Sequence, residues 1–98
     1  MNGGRRNTFY VPQIARTNYA AFVEIMKHEI PPTFELWHER RQDWINSYNN
    51  GEYGAYNSIL DAEVLPDGFG HYSAELSRRP DMNCLLAFAE SEGKKRFG

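Results

Sequence analysis

The stretch that decides the fold is Tyr56-Asn57-Ser58-Ile59-Leu60-Asp61-Ala62-Glu63-Val64-Leu65, which has the side-chain alternation of a β-strand. The other strong patterns in the chain are mostly helical. A single strand cannot satisfy its own backbone N–H and C=O groups, so it needs another strand. The other strand-like run is Thr8-Phe9-Tyr10-Val11, which predicts a partner either there or in a second copy of the chain.

One face of this predicted strand is mostly apolar, and the other face carries the acids Asp61 and Glu63. That division is typical of an antiparallel sheet with one face in water. If the strand joins two copies of the chain, we expect Tyr56, Leu60 and Val64 to form the dimer interface.

The first two predicted helices meet at Pro31 and Pro32, which end the first of them. Thr17 and Thr33 are suitable N-caps, because a threonine hydroxyl can accept a hydrogen bond from the first helical turn. The second helix is expected to close at Gly51. The first inward stripe comprises Tyr19, Phe22, Val23, Met26 and Ile30, and the second comprises Phe34, Trp37, Trp44, Ile45 and Tyr48.

Two further helices are predicted, one from about Pro66 to Leu76 and one beginning near Asp81. Residues 1–7 are expected to form a disordered tail, and Pro12 to stop the first strand. The predicted fold class is therefore α+β: a small helix-rich single domain over residues 8–98, with about four helices and two short β-strands. The residues expected to face inward from the last two helices are Phe69, Tyr72, Leu76, Leu85, Phe88 and Ala89, and the expected ion pairs are Glu90 with Lys94 and Glu92 with Arg96.

Composition narrows the function classes. The 98 residues carry a formal net charge of −2, which argues against binding of nucleic acid driven by overall charge. Nucleic-acid binding would need Arg5, Arg6, Arg78, Arg79 and the basic tail to converge on one face. The single Cys84 excludes an internal disulfide framework and fits a reducing compartment. No apolar run is long enough to cross a bilayer and no signal-peptide pattern is present, so we expect a cytoplasmic protein that does not enter membranes.

No residue pattern indicates a metal, a cofactor or a catalytic group. His28, His38 and His71 lie in three different predicted elements, without the spacing of metal ligands. Cys84 could act as a thiol nucleophile at a helix start, but beside Leu85 a small buried hydrophobe is favoured. Gly68 and Gly70 lack the context of a nucleotide-binding loop.

The most notable polar cluster surrounds Arg41, which lies between Trp37 and Trp44 on the helical wheel. A guanidinium there can stack on an indole or bind a small acidic ligand or phosphate. The favoured interpretation is structural: Arg41 ties its helix to a neighbouring acid, such as one of the segment 42–77. The alternative is a ligand pocket formed by Trp37, Arg41, Trp44, His71 and Tyr72.

Four motifs together resemble a family of small, mostly proteobacterial proteins of uncharacterised function. They are Arg16-Thr17-Asn18-Tyr19-Ala20-Ala21-Phe22, Ile30-Pro31-Pro32-Thr33-Phe34-Glu35-Leu36-Trp37, Val64-Leu65-Pro66-Asp67 and Leu85-Leu86-Ala87-Phe88-Ala89. The resemblance covers roughly residues 16 to 90 and departs at Gly68 and Gly70, where a steadier helix is expected. It implies the fold and brings no catalytic residues.

The sequence therefore predicts a small non-enzymatic binding or adaptor domain that self-associates, most simply as a homodimer, and binds a further protein partner. The segment 42–77 supports this reading, because it contains six acids and no Lys or Arg, and such charge segregation can orient two copies. The alternative is a small enzyme or ligand-binding protein using the pocket around Arg41.

Overall fold

The computed structural model describes residues 8–51 and 58–97. Six main elements follow in chain order: β1 (Thr8–Gln13), α1 (Tyr19–Met26), α2 (Phe34–Asn49), β2 (Ser58–Glu63), α3 (Pro66–Glu75) and α4 (Met82–Phe97). Short 3-10 turns at Arg16–Asn18 and Lys27–Glu29 flank α1. The predicted α+β class is confirmed, with four helices and two short strands in the part of the chain that the structure describes. The expected disordered tail and Tyr56 lie outside the described residues.

The two strands form a parallel pair, with Thr8 opposite Ser58 and Gln13 opposite Glu63. The antiparallel interpretation of β2 was wrong. Parallel strands need a long crossover connection, and the stretch from β1 to β2, which contains α1 and α2, provides it. The acids on β2 suggested a solvated face and hence an antiparallel sheet, but Asp61 forms an ion pair with Arg41 of α2.

Pro12 does not stop β1, which continues to Gln13. The Val64 N–H donates to the Gln13 carbonyl at 3.0 Å, so the backbone groups of Gln13 face β2. Strand residues alternate in direction, and therefore the nitrogen of Pro12 faces away from β2. A proline is tolerated there, since no ladder hydrogen bond is lost.

The helix α1 is shorter than predicted and ends at Met26. Lys27 has φ 57°, outside the helical region, and Ile30 before Pro31 is extended, as expected for a residue preceding proline. Thr17 lies within a 3-10 turn and is not the N-cap. The predicted apolar stripe is nevertheless confirmed: Tyr19, Phe22, Met26 and Ile30 are buried and Val23 packs against them.

The second helix begins and ends as predicted. The Leu36 N–H donates to the Thr33 hydroxyl at 3.2 Å, and Gly51 just beyond the helix has φ 81°. Tyr19 joins α1 to α2, because its ring lies edge-on to Phe34 and its hydroxyl donates to the Pro31 carbonyl at 2.5 Å. The two-proline joint therefore forms a corner closed by one tyrosine.

The last two helices place Phe69, Leu85, Phe88 and Ala89 in the core, as predicted. Leu76, expected inward, is 50% exposed because α3 ends before it. Asp81 accepts a hydrogen bond from the Cys84 N–H at 2.9 Å at the start of α4. The Glu90–Lys94 pair forms at 2.9 Å, whereas the carboxylate of Glu92 pairs with Lys95 and not with Arg96.

Two glycines allow α4 to approach its neighbours. A Cβ on Gly93 would lie 2.1 Å from Cδ1 of Tyr10, so only glycine lets α4 pack against β1 at this point. A Cβ on Gly68 would lie 3.1 Å from Phe88, where α3 meets α4. The sheet is thus covered by α4 on the face that carries Tyr10. Among the described helices, none has the length and apolar character that a bilayer-spanning segment requires.

Candidate functional site

The five residues of the predicted pocket are divided between two places. Trp37, Arg41 and Trp44 lie along α2, while His71 and Tyr72 lie on α3 and line a cavity of about 480 Å³ that includes no residue of α2. Each group therefore needs its own interpretation.

Arg41 is a structural tie between α2 and the sheet. Its Nε donates to the Pro12 carbonyl at 2.9 Å, and its terminal nitrogen forms an ion pair with the Asp61 carboxylate. The side chain is 10% exposed, so most of the guanidinium is removed from water. The favoured interpretation of Arg41 is confirmed, since Asp61 belongs to the acidic segment.

Of the tryptophans beside Arg41, Trp37 is a core residue and Trp44 is partly buried and packs against the core. Trp37 is fully buried, with its ring centre 5.7 Å from Trp44 and 6.3 Å from Tyr19. Its Nε1–H is buried and finds no hydrogen-bond acceptor among the described residues. An unpaired buried donor costs roughly 1–3 kcal/mol, which the packing of the indole has to offset.

Burial also shifts the pKa values of Tyr19 and Cys84. Burial raises the pKa of Tyr19 to about 12, although Arg40 acts in the opposite direction. It likewise raises the pKa of the fully buried Cys84 thiol, which disfavours the thiolate that a nucleophile needs. Cys84 packs as part of the core, in agreement with the favoured interpretation.

The cavity beside His71 and Tyr72 lies where α3 and α4 meet the end of β2. The Tyr72 ring packs against Phe88, with ring centres 5.1 Å apart. The charged lining is largely self-paired: Glu63 lies 3.6 Å from Arg96, and the carboxylate of Glu92 lies 3.2 Å from Lys95. Asp67, His71 and Glu75 also line the cavity at helical spacings of four and, within the described chain, have no ion pair.

The basic residues of the C-terminal tail are engaged in the same way. Lys94, Lys95 and Arg96 each pair with an acid of this chain, and Arg79 pairs with Glu29. Glu90 raises the pKa of Lys94 by accepting its hydrogen bond. These pairs reduce the positive charge that a phosphate backbone would meet.

Sequence reasoning missed the difference between the two edges of the sheet. Parallel register fixes which backbone groups face inward. With the Gln13 carbonyl bonded to Val64, the N–H and C=O groups of Ile59, Asp61 and Glu63 face the outer edge of β2. The signal in the sequence was Pro12, which marks the outer edge of β1.

The outer edge of β1 is closed at Pro12. This residue has no N–H to offer a further strand, and its carbonyl already accepts a hydrogen bond from Arg41. A third strand could not pair regularly along β1.

Among the described residues, none pairs with the outer edge of β2. Beyond the pairing with β1, no described residue forms a hydrogen bond with the backbone groups of Ile59, Asp61 or Glu63. Leu60 on the same strand is 38% exposed. Of the residues predicted for a dimer interface, Leu60 is therefore accessible, Val64 is fully buried in the core of its own chain, and Tyr56 lies outside the described residues.

Within residues 8–51 and 58–97, no group of three His, Cys, Asp or Glu side chains is arranged to hold a metal ion. Comparisons with protein-family models, curated proteins and solved structures find no match. The resemblance to uncharacterised proteobacterial proteins stays a prediction.

Proposed function

We propose that this chain is a non-enzymatic binding protein of the cytoplasm that self-associates through the outer edge of β2. The observation that carries the proposal is the row of outward backbone groups at Ile59, Asp61 and Glu63, which the described residues leave without partners. A two-stranded sheet is at the lower limit of size, and unpaired edges tend to recruit further strands.

The contrast with β1 supports this assignment. Proline and charged side chains are common protections of an edge, and β1 carries Pro12 with Arg41 across its carbonyl. The acids of β2 are less protective, because Asp61 is paired with Arg41 and Glu63 lies near Arg96.

Light scattering across the micromolar range tests self-association. The intact chain should give the mass of a dimer, and Ile59→Pro should give a monomer, since proline removes an outward N–H and leaves the ladder with β1 intact. Ile59→Ala is the matched control and should remain dimeric. A monomeric intact chain at every concentration would contradict the proposal.

A second candidate function is binding of a small ligand in the cavity beside Tyr72. Its volume of about 480 Å³ falls in the range of small-molecule sites. The Tyr72–Phe88 ring pair offers an apolar surface, and the carboxylates of Asp67 and Glu75 would favour a ligand with a positive charge.

Thermal shift with two probes of similar size tests this candidate. Phenethylamine should raise the melting temperature and phenylacetate should not, because only the amine complements the carboxylates. The double variant Asp67→Asn/Glu75→Gln should lose the shift. Equal responses to both probes, or none, would remove the candidate.

A further inference from the structure

We infer that two copies of this chain pair their β2 strands antiparallel, with Leu60 of each copy opposite its counterpart on a two-fold axis. The inference rests on the proposed self-association and names its partner and register. The product is a four-stranded sheet in the order β1–β2–β2–β1, a usual size for a sheet. It is mixed, with an antiparallel centre between two parallel pairs.

The charges of the edge favour a second copy over a basic peptide. Asp61 already pairs with Arg41, and Glu63 lies 3.6 Å from Arg96 in the same chain. A basic peptide would therefore have to compete with these arginines. A second copy brings an edge whose acids are balanced in the same way, and a two-fold axis lets one surface complement itself.

The positions of the acids select the register. Centring the axis on Asp61 would place the two Asp61 carboxylates opposite each other, and centring it on Ala62 would place Asp61 opposite Glu63. Like charges directly opposite are destabilising in a sheet. Centring it on Ile59 would place Leu60 opposite the polar Ser58.

Centring the axis on Leu60 avoids all three conflicts. Asp61 of each copy then lies opposite Ile59 of the other. Each of these two symmetry-related pairs is joined by two backbone N–H···O=C hydrogen bonds. The two Leu60 residues form the central pair. They do not hydrogen-bond to each other, because the N–H and C=O of each face β1 of the same copy. The two half-exposed leucine side chains meet across the axis and cover each other.

Disulfide trapping tests this register directly. Residues opposite each other in a non-hydrogen-bonded antiparallel pair have Cα atoms about 4.5 Å apart, within the range that a disulfide spans. Leu60→Cys, oxidised with diamide, should give a covalent dimer that dithiothreitol reverses. Leu76→Cys is the matched control, because Leu76 is an exposed leucine just after the end of α3, away from the proposed axis.

The outcomes separate the register from self-association. Efficient trapping of Leu60→Cys with little trapping of Leu76→Cys supports the inference. A dimeric intact chain whose Leu60→Cys variant does not trap, although circular dichroism shows it folded, overturns the register and leaves self-association standing. A monomeric intact chain, or equal trapping of both variants, overturns the inference as well.

Discussion

The two strands of the sheet have the same length and pair with each other along all six residues, yet their outer edges differ. On β1, Pro12 offers no donor and Arg41 occupies its carbonyl. On β2, the outward groups of Ile59, Asp61 and Glu63 have no partner among the described residues. The difference teaches that one proline and one arginine are enough to close one side of a small sheet to regular strand pairing, and the proposed self-association uses the other side.

The strands also differ in how they are held. Tyr10 of β1 lies against Gly93 so closely that a Cβ there would overlap its ring, whereas Leu60 opposite Tyr10 remains 38% exposed. β1 thus contacts both α2 and α4, whereas the described residues leave the outer edge of β2 accessible.

The largest expected effect on stability comes from proline in β2, and it depends on whether the lost N–H faces β1 or the outer edge. Leu60→Pro removes an N–H that faces β1. The lost ladder hydrogen bond costs about 1–3 kcal/mol and the fit of the proline ring against β1 adds to that cost, so this change should lower the free energy of unfolding most. Ile59→Pro removes an outward N–H and should cost much less in the isolated chain. Urea unfolding at low protein concentration, with Leu60→Ala and Ile59→Ala as controls, measures both. Equal losses from the two prolines would break the distinction between inner and outer groups.

The next largest loss of stability should follow from removing Arg41, whose side chain closes the outer edge of β1. Arg41→Ala leaves the Pro12 carbonyl unpaired and should lower stability by about 2–3 kcal/mol, given typical hydrogen bonds of charged donors. Arg16→Ala is the control: Arg16 also pairs with a carboxylate, but both side chains are mostly exposed, and such pairs contribute about 0–1 kcal/mol. If both variants lost the same stability in urea unfolding, Arg41 would not be the closing residue.

A smaller effect should follow from adding one methyl group beneath β1. Gly93→Ala forces Tyr10 to shift, and overpacking of this kind costs about 1–3 kcal/mol, offset in part by about 1 kcal/mol of improved helix propensity. Gly70→Ala is the opposite case, because nothing lies within 4 Å of the added Cβ, so it should stabilise the protein. Thermal unfolding shows whether each variant is more or less stable than the intact chain. A stabilising Gly93→Ala would mean that α4 and Tyr10 of β1 do not pack in close contact at this point.

The smallest expected effect is on the pKa of Tyr19, which shows whether a substitution in β2 disturbs the structure elsewhere. Tyr19 ionises at about pH 12 when folded and near pH 10 when unfolded, so its contribution to stability is complete below pH 10 and is lost as the pH rises toward 12. In Ile59→Pro the pKa of Tyr19 should not change, because Tyr19 lies between α1 and α2. Because the chain has six tyrosines, ultraviolet absorbance titration of Ile59→Pro with and without Tyr19→Phe isolates the Tyr19 transition, and a pKa near 10 would mean that the damage spreads.

Much of the fold could be predicted because its signals are local. The Thr33 cap, the glycine after α2 and the apolar stripe of α1 each depend on neighbours within a turn of helix. The favoured role of Arg41 was also accessible, since its place between two tryptophans marked it as buried.

Strand direction could not be predicted in the same way. Parallel and antiparallel partners can present the same alternation of side chains, and the choice depends on the long crossover through α1 and α2. The division of the predicted pocket has a similar cause, because Arg41 and His71 lie on separate helices whose placement depends on the whole core. Pro12 was interpreted as a strand end because its direction relative to β2 is a property of the register.

Amide hydrogen exchange at two protein concentrations tests the central claim most directly. At high concentration, we expect slow exchange at Ile59 and Asp61, which the second copy protects, and at Leu60 and Ala62, which face β1. On dilution, Ile59 and Asp61 should become fast while Leu60 and Ala62 stay slow. Fast exchange at Ile59 and Asp61 at every concentration would contradict pairing through the outer edge of β2.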